Sequence, residues 1–161
     1  MITENNTEAV KSELDRFKEY ILEKVGILVE GEAVKEMKNP VLHRGGGWYP
    51  TYDTGDLANS ITHQVSDDTV KVGTPLEYAI YIEKGAKAHW TSVKNLIDWV
   101  GRKFIGMPEK EQQSIAYAIQ HNIAKEDMPP MPFLEPAVWN NLERIKNLFG
   151  GKEFDWKITT K

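Results

Sequence analysis

"ITHQVSDDTVKV", residues 61–72, alternates apolar and polar positions on either side of two aspartates. Ile61, His63 and Val65 share one face, Ser60, Thr62 and Gln64 the other, and Val70 and Val72 resume the alternation beyond Asp67-Asp68. A period of two belongs to a strand with one covered face, and adjacent Asp residues between two such runs mark a turn. The stretch predicts an antiparallel hairpin, so the fold is decided by what the hairpin packs on.

Upstream lies the strongest helical pattern in the chain. Val10, Leu14, Phe17, Ile21, Val25 and Leu28 recur at steps of three and four after a capping Asn6 or Thr7, with Glu8 at the positive end. Gly26 and Gly31 weaken the second half, Val34 and Met37 keep the period, and Asn39-Pro40 ends it. One long helix is expected there. Residues 39–54, "NPVLHRGGGWYPTYDT", combine three consecutive glycines, two prolines and three aromatics without a period, which reads as a long flexible loop. In "DTGDLANSI", residues 53–61, Thr54 is suited to cap and Gly55 to a tight turn, so the stretch sets how the chain enters the hairpin.

Downstream, Leu76, Ala79, Ile80 and Glu83 share a helical face that stops at Gly85, a left-handed cap. Ser92 is expected to cap a helix carrying Val93, Leu96, Ile97, Val100 and Phe104, and Pro108-Glu109 opens a second helix with Ile115, Ala118, Ile119 and Ile123. These form a helical hairpin over 92–126. The prolines of "DMPPMPFLEP", 127–136, forbid helix and fix Phe133 and Leu134. Pro136 suits the first turn of a further helix bearing Val138, Leu142, Ile145 and Phe149, closed by Gly150-Gly151. A last strand is expected where Phe154, Trp156 and Ile158 alternate with polar residues. The fold class is α+β: a long N-terminal helix on a small, mostly antiparallel sheet, with a helical hairpin and a C-terminal helix plus strand, all in one domain over 1–161.

Composition bounds the function. At 161 residues, 40% hydrophobic and 27% charged, the chain is long enough for one self-sufficient core. Zero cysteines exclude disulfides, Cys-ligated metals and thiol catalysis. No apolar run approaches the roughly 18 residues of a membrane span, and the N-terminus has charges where a signal peptide needs its apolar core. No membrane partner is expected. The net charge is −4 with the basic residues scattered, whereas tight nucleic-acid binding needs a basic stripe.

Each catalytic motif fails on its own chemistry. "HRGGGWY" (43–49) lacks the Lys-Ser/Thr pair that completes a phosphate loop. His43, His63, His89 and His121 fall in different elements without the one-turn spacing of a shared metal, leaving only a site assembled in three dimensions open. Asp67-Asp68 reads as a solvated turn. Ser60 and Ser114 lack the glycine-flanked elbow of a serine hydrolase. Glu83, beside an apolar face and two residues before Gly85, reads as an anchor accepting hydrogen bonds from the turn "EKGAK". Neither an enzyme nor a cofactor is expected.

The succession "TGDLANSI" (54–61), "VKVGTPLEYAIYIEKGAK" (70–87), "IAYAIQHNIAK" (115–125) and "MPFLEPA" (131–137) resembles the small structural proteins between head and tail of long-tailed bacteriophages, the neck, head–tail joining or tail-completion family. The likeness runs over about residues 1–149 and rests on order and spacing. It implies structural roles for Thr54, Gly55, Leu57, Ser60, Tyr78, Glu83, Gly85, Pro132, Phe133 and Leu134. The chain departs from the family in its longer 39–54 loop and in Ala86, where threonine is usual.

The resemblance further implies a siphovirus virion protein, assembled in the host cytoplasm and resident at the head–tail interface. It would form a homo-oligomeric ring joining a head-connector or stopper protein to tail terminator or tube proteins, and DNA would pass through without tight binding. Trp48, Tyr49 and Tyr52 in the 39–54 loop are the expected partner-binding residues. A binding module or regulator outside the virion is the alternative, followed by a small hydrolase or nuclease.

Overall fold

The computed structural model describes residues 7–42 and 48–150. Helix α1 (Thr7–Lys38) precedes two short strands that pair with each other, β1 (Pro40–Leu42) and β2 (Trp48–Pro50). Helix α2 (Asp56–Ser60) leads into the hairpin of β3 (Thr62–Ser66) and β4 (Thr69–Gly73), and α3 (Ala79–Lys84), α4 (Val93–Lys103), α5 (Glu109–Lys125), α6 (Leu134–Trp139) and α7 (Leu142–Leu148) follow. The class is the expected α+β, with a long N-terminal helix, a small antiparallel sheet and further helices toward the C-terminus. The chain forms two compact units. One is built on α1 from the segments up to Val41, Pro50–Ala79 and onward from Pro132; the other comprises Leu42–Tyr49 and Ile80–Met131.

In the first unit α1 packs on β3, β4, α2, α6 and α7. The hairpin register sets His63 opposite Val72 and Val65 opposite Val70, and the turn closes with Asp67 at φ 53. Aspartate tolerates that left-handed geometry better than most residues. His63, Val65, Val70 and Val72 are half-buried, while Thr62, Gln64, Ser66 and Lys71 are exposed, as the period of two requires. The buried apolar residues of this unit include Val25, Val29, Ala33 and Met37 of α1, Leu57 of α2, Phe133, Ala137 of α6 and Ile145 of α7. Gly26 lies beneath the imidazole of His63, and a Cβ at that position would overlap the ring. Glycine costs about 1 kcal/mol against alanine in a helix, and here it lets the strand approach.

Three expectations need correction. The apolar face of α1 is buried only from Ile21 onward: Val10, Leu14 and Phe17 are exposed, because the covering elements meet the helix along its later turns. An earlier turn is touched at Lys18, whose ammonium pairs with Asp68 at the hairpin tip at 2.7 Å. The 39–54 loop carries β1 and β2, strands too short to leave a period in the sequence, and beyond them the Tyr52 amide donates to the Met37 carbonyl at 3.0 Å. The helix expected from Pro136 to Phe149 is two helices. Asn141, buried between them, donates its side-chain amide to the Ala137 carbonyl at 3.0 Å and accepts from Arg144 at 2.8 Å. Asparagine competes with the helical backbone for such bonds, and the helix breaks there. Asn6 and the strand expected at 154–158 lie outside the described residues.

Arg144 also donates to Glu32 of α1 at 2.8 Å, tying α7 to that helix. Lys35 and then Arg144 hold the Glu32 carboxyl below its usual range.

In the second unit α4 and α5 pack on each other, with Val100 and Ala116 fully buried. Gly106 at φ 89 turns the chain between them, and Gln112 donates to the Met107 carbonyl at 2.7 Å. Ser92 occupies the N-cap of α4 in extended geometry without a side-chain capping bond. After α3 the chain takes the left-handed turn expected at Gly85, with φ 76. There the backbone of Ala86 exchanges two hydrogen bonds with Met128, and the Met131 amide donates to the Ile82 carbonyl at 2.8 Å. A Cβ on Gly85 would lie 2.5 Å from the Met128 carbonyl oxygen, so this packing admits glycine alone.

Candidate functional site

The residues singled out from sequence gather mainly at the entry to the hairpin. Gly55 takes φ 92, which opens α2 and returns its carbonyl to the Asn59 amide at 2.8 Å. The Thr54 hydroxyl donates to the Asp56 carboxylate at 2.6 Å, so its role is to brace the turn beside the cap position that Gly55 holds. Leu57 points into the core at 8% exposure. Ser60 donates to the Leu57 carbonyl at 2.7 Å and meets the Thr74 hydroxyl at 2.6 Å; Thr74 in turn accepts from the Leu76 amide at 3.1 Å. These bonds link the start of β3 to the exit from β4.

Tyr52 closes the same turn from outside. Its hydroxyl stands 2.8 Å from where a Cβ of Gly55 would be, and Lys38 lies over its ring at 5.5 Å. Tyr78 belongs here as well. Burial, then the carboxylates of Asp56 and Asp53, raise its hydroxyl above the ordinary range. Trp48 and Tyr49 fall in β2. Pro132, Phe133 and Leu134 follow the proline segment, with Phe133 fully buried in the first unit and Leu134 starting α6. Glu83 and Gly85 belong to the second unit, Glu83 half-buried in the last turn of α3.

Chemically, the cluster at His63 is a closed arrangement. Its Nδ1 meets Glu30 Oε1 at 2.8 Å and its Nε2 meets Glu23 Oε1 at 3.0 Å. The hydrogen bond that the ring donates to Glu30 leads in raising the imidazole above its ordinary value, with that donated to Glu23 adding to it, against burial. While the ring is protonated both nitrogens donate to these carboxylates, and neither has a lone pair for a metal or a substrate proton. Among the described residues, no group of three or more His, Cys, Asp or Glu is arranged to hold a metal ion, and no helix is long and apolar enough to cross a membrane.

What the surface offers is apolar area. Val10, Leu14, Phe17, Tyr20 and Ile27 stand exposed along α1, and Trp90, Ile105 and Tyr117 stand exposed in the second unit, Ile105 at 92%. Trp90 rests edge-on against His121 with centroids 5.3 Å apart. Sequence reasoning missed Tyr20 and Ile27, which lie off the face it assigned to the core. It also missed Ile105, whose position beside Gly106 between two helices was the available signal. Apolar side chains that gather in one large patch mark surfaces that other proteins cover, whereas those standing singly are ordinary.

Residues 3–85 match the family model for HK97-gp10-like proteins, described as "Bacteriophage HK97-gp10, putative tail-component". The match spans α1, the hairpin and the turn at Gly55, and ends at Gly85. No curated protein and no solved structure matches the chain.

Proposed function

We infer what the chain does from one premise: it belongs to the HK97-gp10-like family of bacteriophage tail components, and is a structural part of a virion that works by contact with other virion proteins. Its place is the head–tail interface of a long-tailed phage, where it acts as a neck or tail-completion protein. Copies form a ring between the head-connector or stopper protein and the tail terminator or tube, and DNA passes through that ring. The chain contributes surfaces and no chemistry. Trp48, Tyr49 and Tyr52 supply partner contacts, while Thr54, Gly55, Leu57, Ser60, Tyr78, Glu83, Gly85, Pro132, Phe133 and Leu134 keep the frame that presents them.

The observation that carries this reading is the family match over 3–85, supported by the order of motifs that continues to residue 137. Silencing the gene in its phage tests it. The expected lysate contains DNA-filled heads and completed tails that remain separate, and purified chain added to that lysate restores joined, infectious particles. Joined particles without the protein, or a defect confined to the far end of the tail, would overturn it.

A further inference from the structure

Helix α1 has two unlike sides. At 100° per residue, Val25, Val29, Ala33 and Met37 point toward the elements that bury them. On the opposite side, residues 10, 13, 17, 20, 24 and 27 follow one another at alternating steps of three and four and form a single strip. Its apolar members are Val10, Phe17, Tyr20 and Ile27, each more than half exposed at 58%, 61%, 57% and 52%. Its polar members are Glu13 and Lys24, both exposed. The strip is about 26 Å long at roughly 1.5 Å per residue, long enough for a coiled-coil seam.

We propose that this strip takes a second copy of the same chain, the two α1 helices running antiparallel about a two-fold axis that passes between positions 18 and 19. That axis turns the strip onto itself: Val10 meets Ile27 of the second copy, Phe17 meets Tyr20, and Glu13 meets Lys24. Each apolar residue faces an apolar one. The one acidic position faces the one basic position, twice per pair. Within the chain Glu13 lies 3.4 Å from Arg16 and Lys24 stands 5.2 Å from the centre of the Tyr20 ring, both contacts exposed; across the interface a parallel pairing would oppose Glu13 to Glu13 and Lys24 to Lys24, and an apolar partner of another kind would match neither charge. Antiparallel helices also set opposite dipole ends side by side. The helix side facing away from the strip is charged in these turns, with Glu8, Lys11, Asp15 and Glu19, so the strip is the face that pairing covers.

The association is isologous and closes at two copies, unlike the head-to-tail contacts of a ring. It is a property of the free chain and stands independently of the assembly role above.

The absence of cysteine makes the test clean. In the full-length protein, an equimolar mixture of Val10→Cys and Ile27→Cys chains should form a disulfide-linked dimer on mild oxidation, and Val10→Cys alone should not. By sedimentation, Glu13→Lys should weaken the dimer roughly tenfold, and adding Lys24→Glu to the same chain should bring it back to within about threefold. All four positions are exposed, so the fold of the single chain is untouched. A protein that stays monomeric up to about 100 µM overturns the proposal. So do self-crosslinking of Val10→Cys and a Glu13→Lys chain that dimerises as the parent does.

Discussion

Both nitrogens of His63 are held by carboxylates of α1, and the hydrogen bond accepted by Glu30 does most to raise the imidazole above 6.5. A group whose folded value is raised contributes stability that is fully present below its unfolded value and is lost as pH climbs through the folded one. The stability difference between the parent and His63→Gln should therefore favour the parent most below pH 6.5 and shrink as pH rises through the raised value, which urea midpoints at stepped pH would record. A difference that does not change with pH would show that the ring is not protonated in the fold. The alternation of residues 61–72 placed His63 on the covered face correctly. It could not supply Glu23 and Glu30, which a change of element separates from the strand. Nor could it explain Gly26, which reads as a weakness in a helix until the imidazole above it is seen.

At the scale of elements, long periodic runs were legible and short ones were not. The helix from Thr7 and the hairpin rest on patterns that many residues repeat, whereas β1 and β2 have three residues each. Periodicity also reports that a helix face is apolar without saying whether this chain covers it, and Val10, Leu14 and Phe17 were assigned to the core for that reason. The division between α6 and α7 turns on one residue. Replacing Asn141 by alanine removes the bond to the Ala137 carbonyl and the acceptor for Arg144 in a site only 6% exposed. The expected cost is about 1–3 kcal/mol, read as a lower urea midpoint with an unchanged slope. An unchanged midpoint would mean that the break is imposed by the surrounding packing.

For the whole molecule, the decisive quantity is charge. A net charge of −4 with the basic residues scattered offers duplex DNA no counterion-releasing grip. No binding of duplex DNA is expected at physiological salt; submicromolar binding that weakens steeply as salt is added would contradict this. Composition could exclude chemistries in this way but could not name a role, because structural proteins need no catalytic residues for a pattern to catch. The role became legible through the order of weak motifs such as "TGDLANSI", each forgettable alone. Another consequence lies in the two hydrogen bonds between Ala86 and Met128, at 3.1 and 2.7 Å. The backbone departs at one and comes home at the other through the same narrow doorway, so Lys87–Asp127 is a self-contained excursion whose ends already touch. The family match stops one residue before that doorway. An excursion whose ends are already clasped has its closure settled at the clasp, so residues added or removed at its far end should leave the backbone on either side on its path.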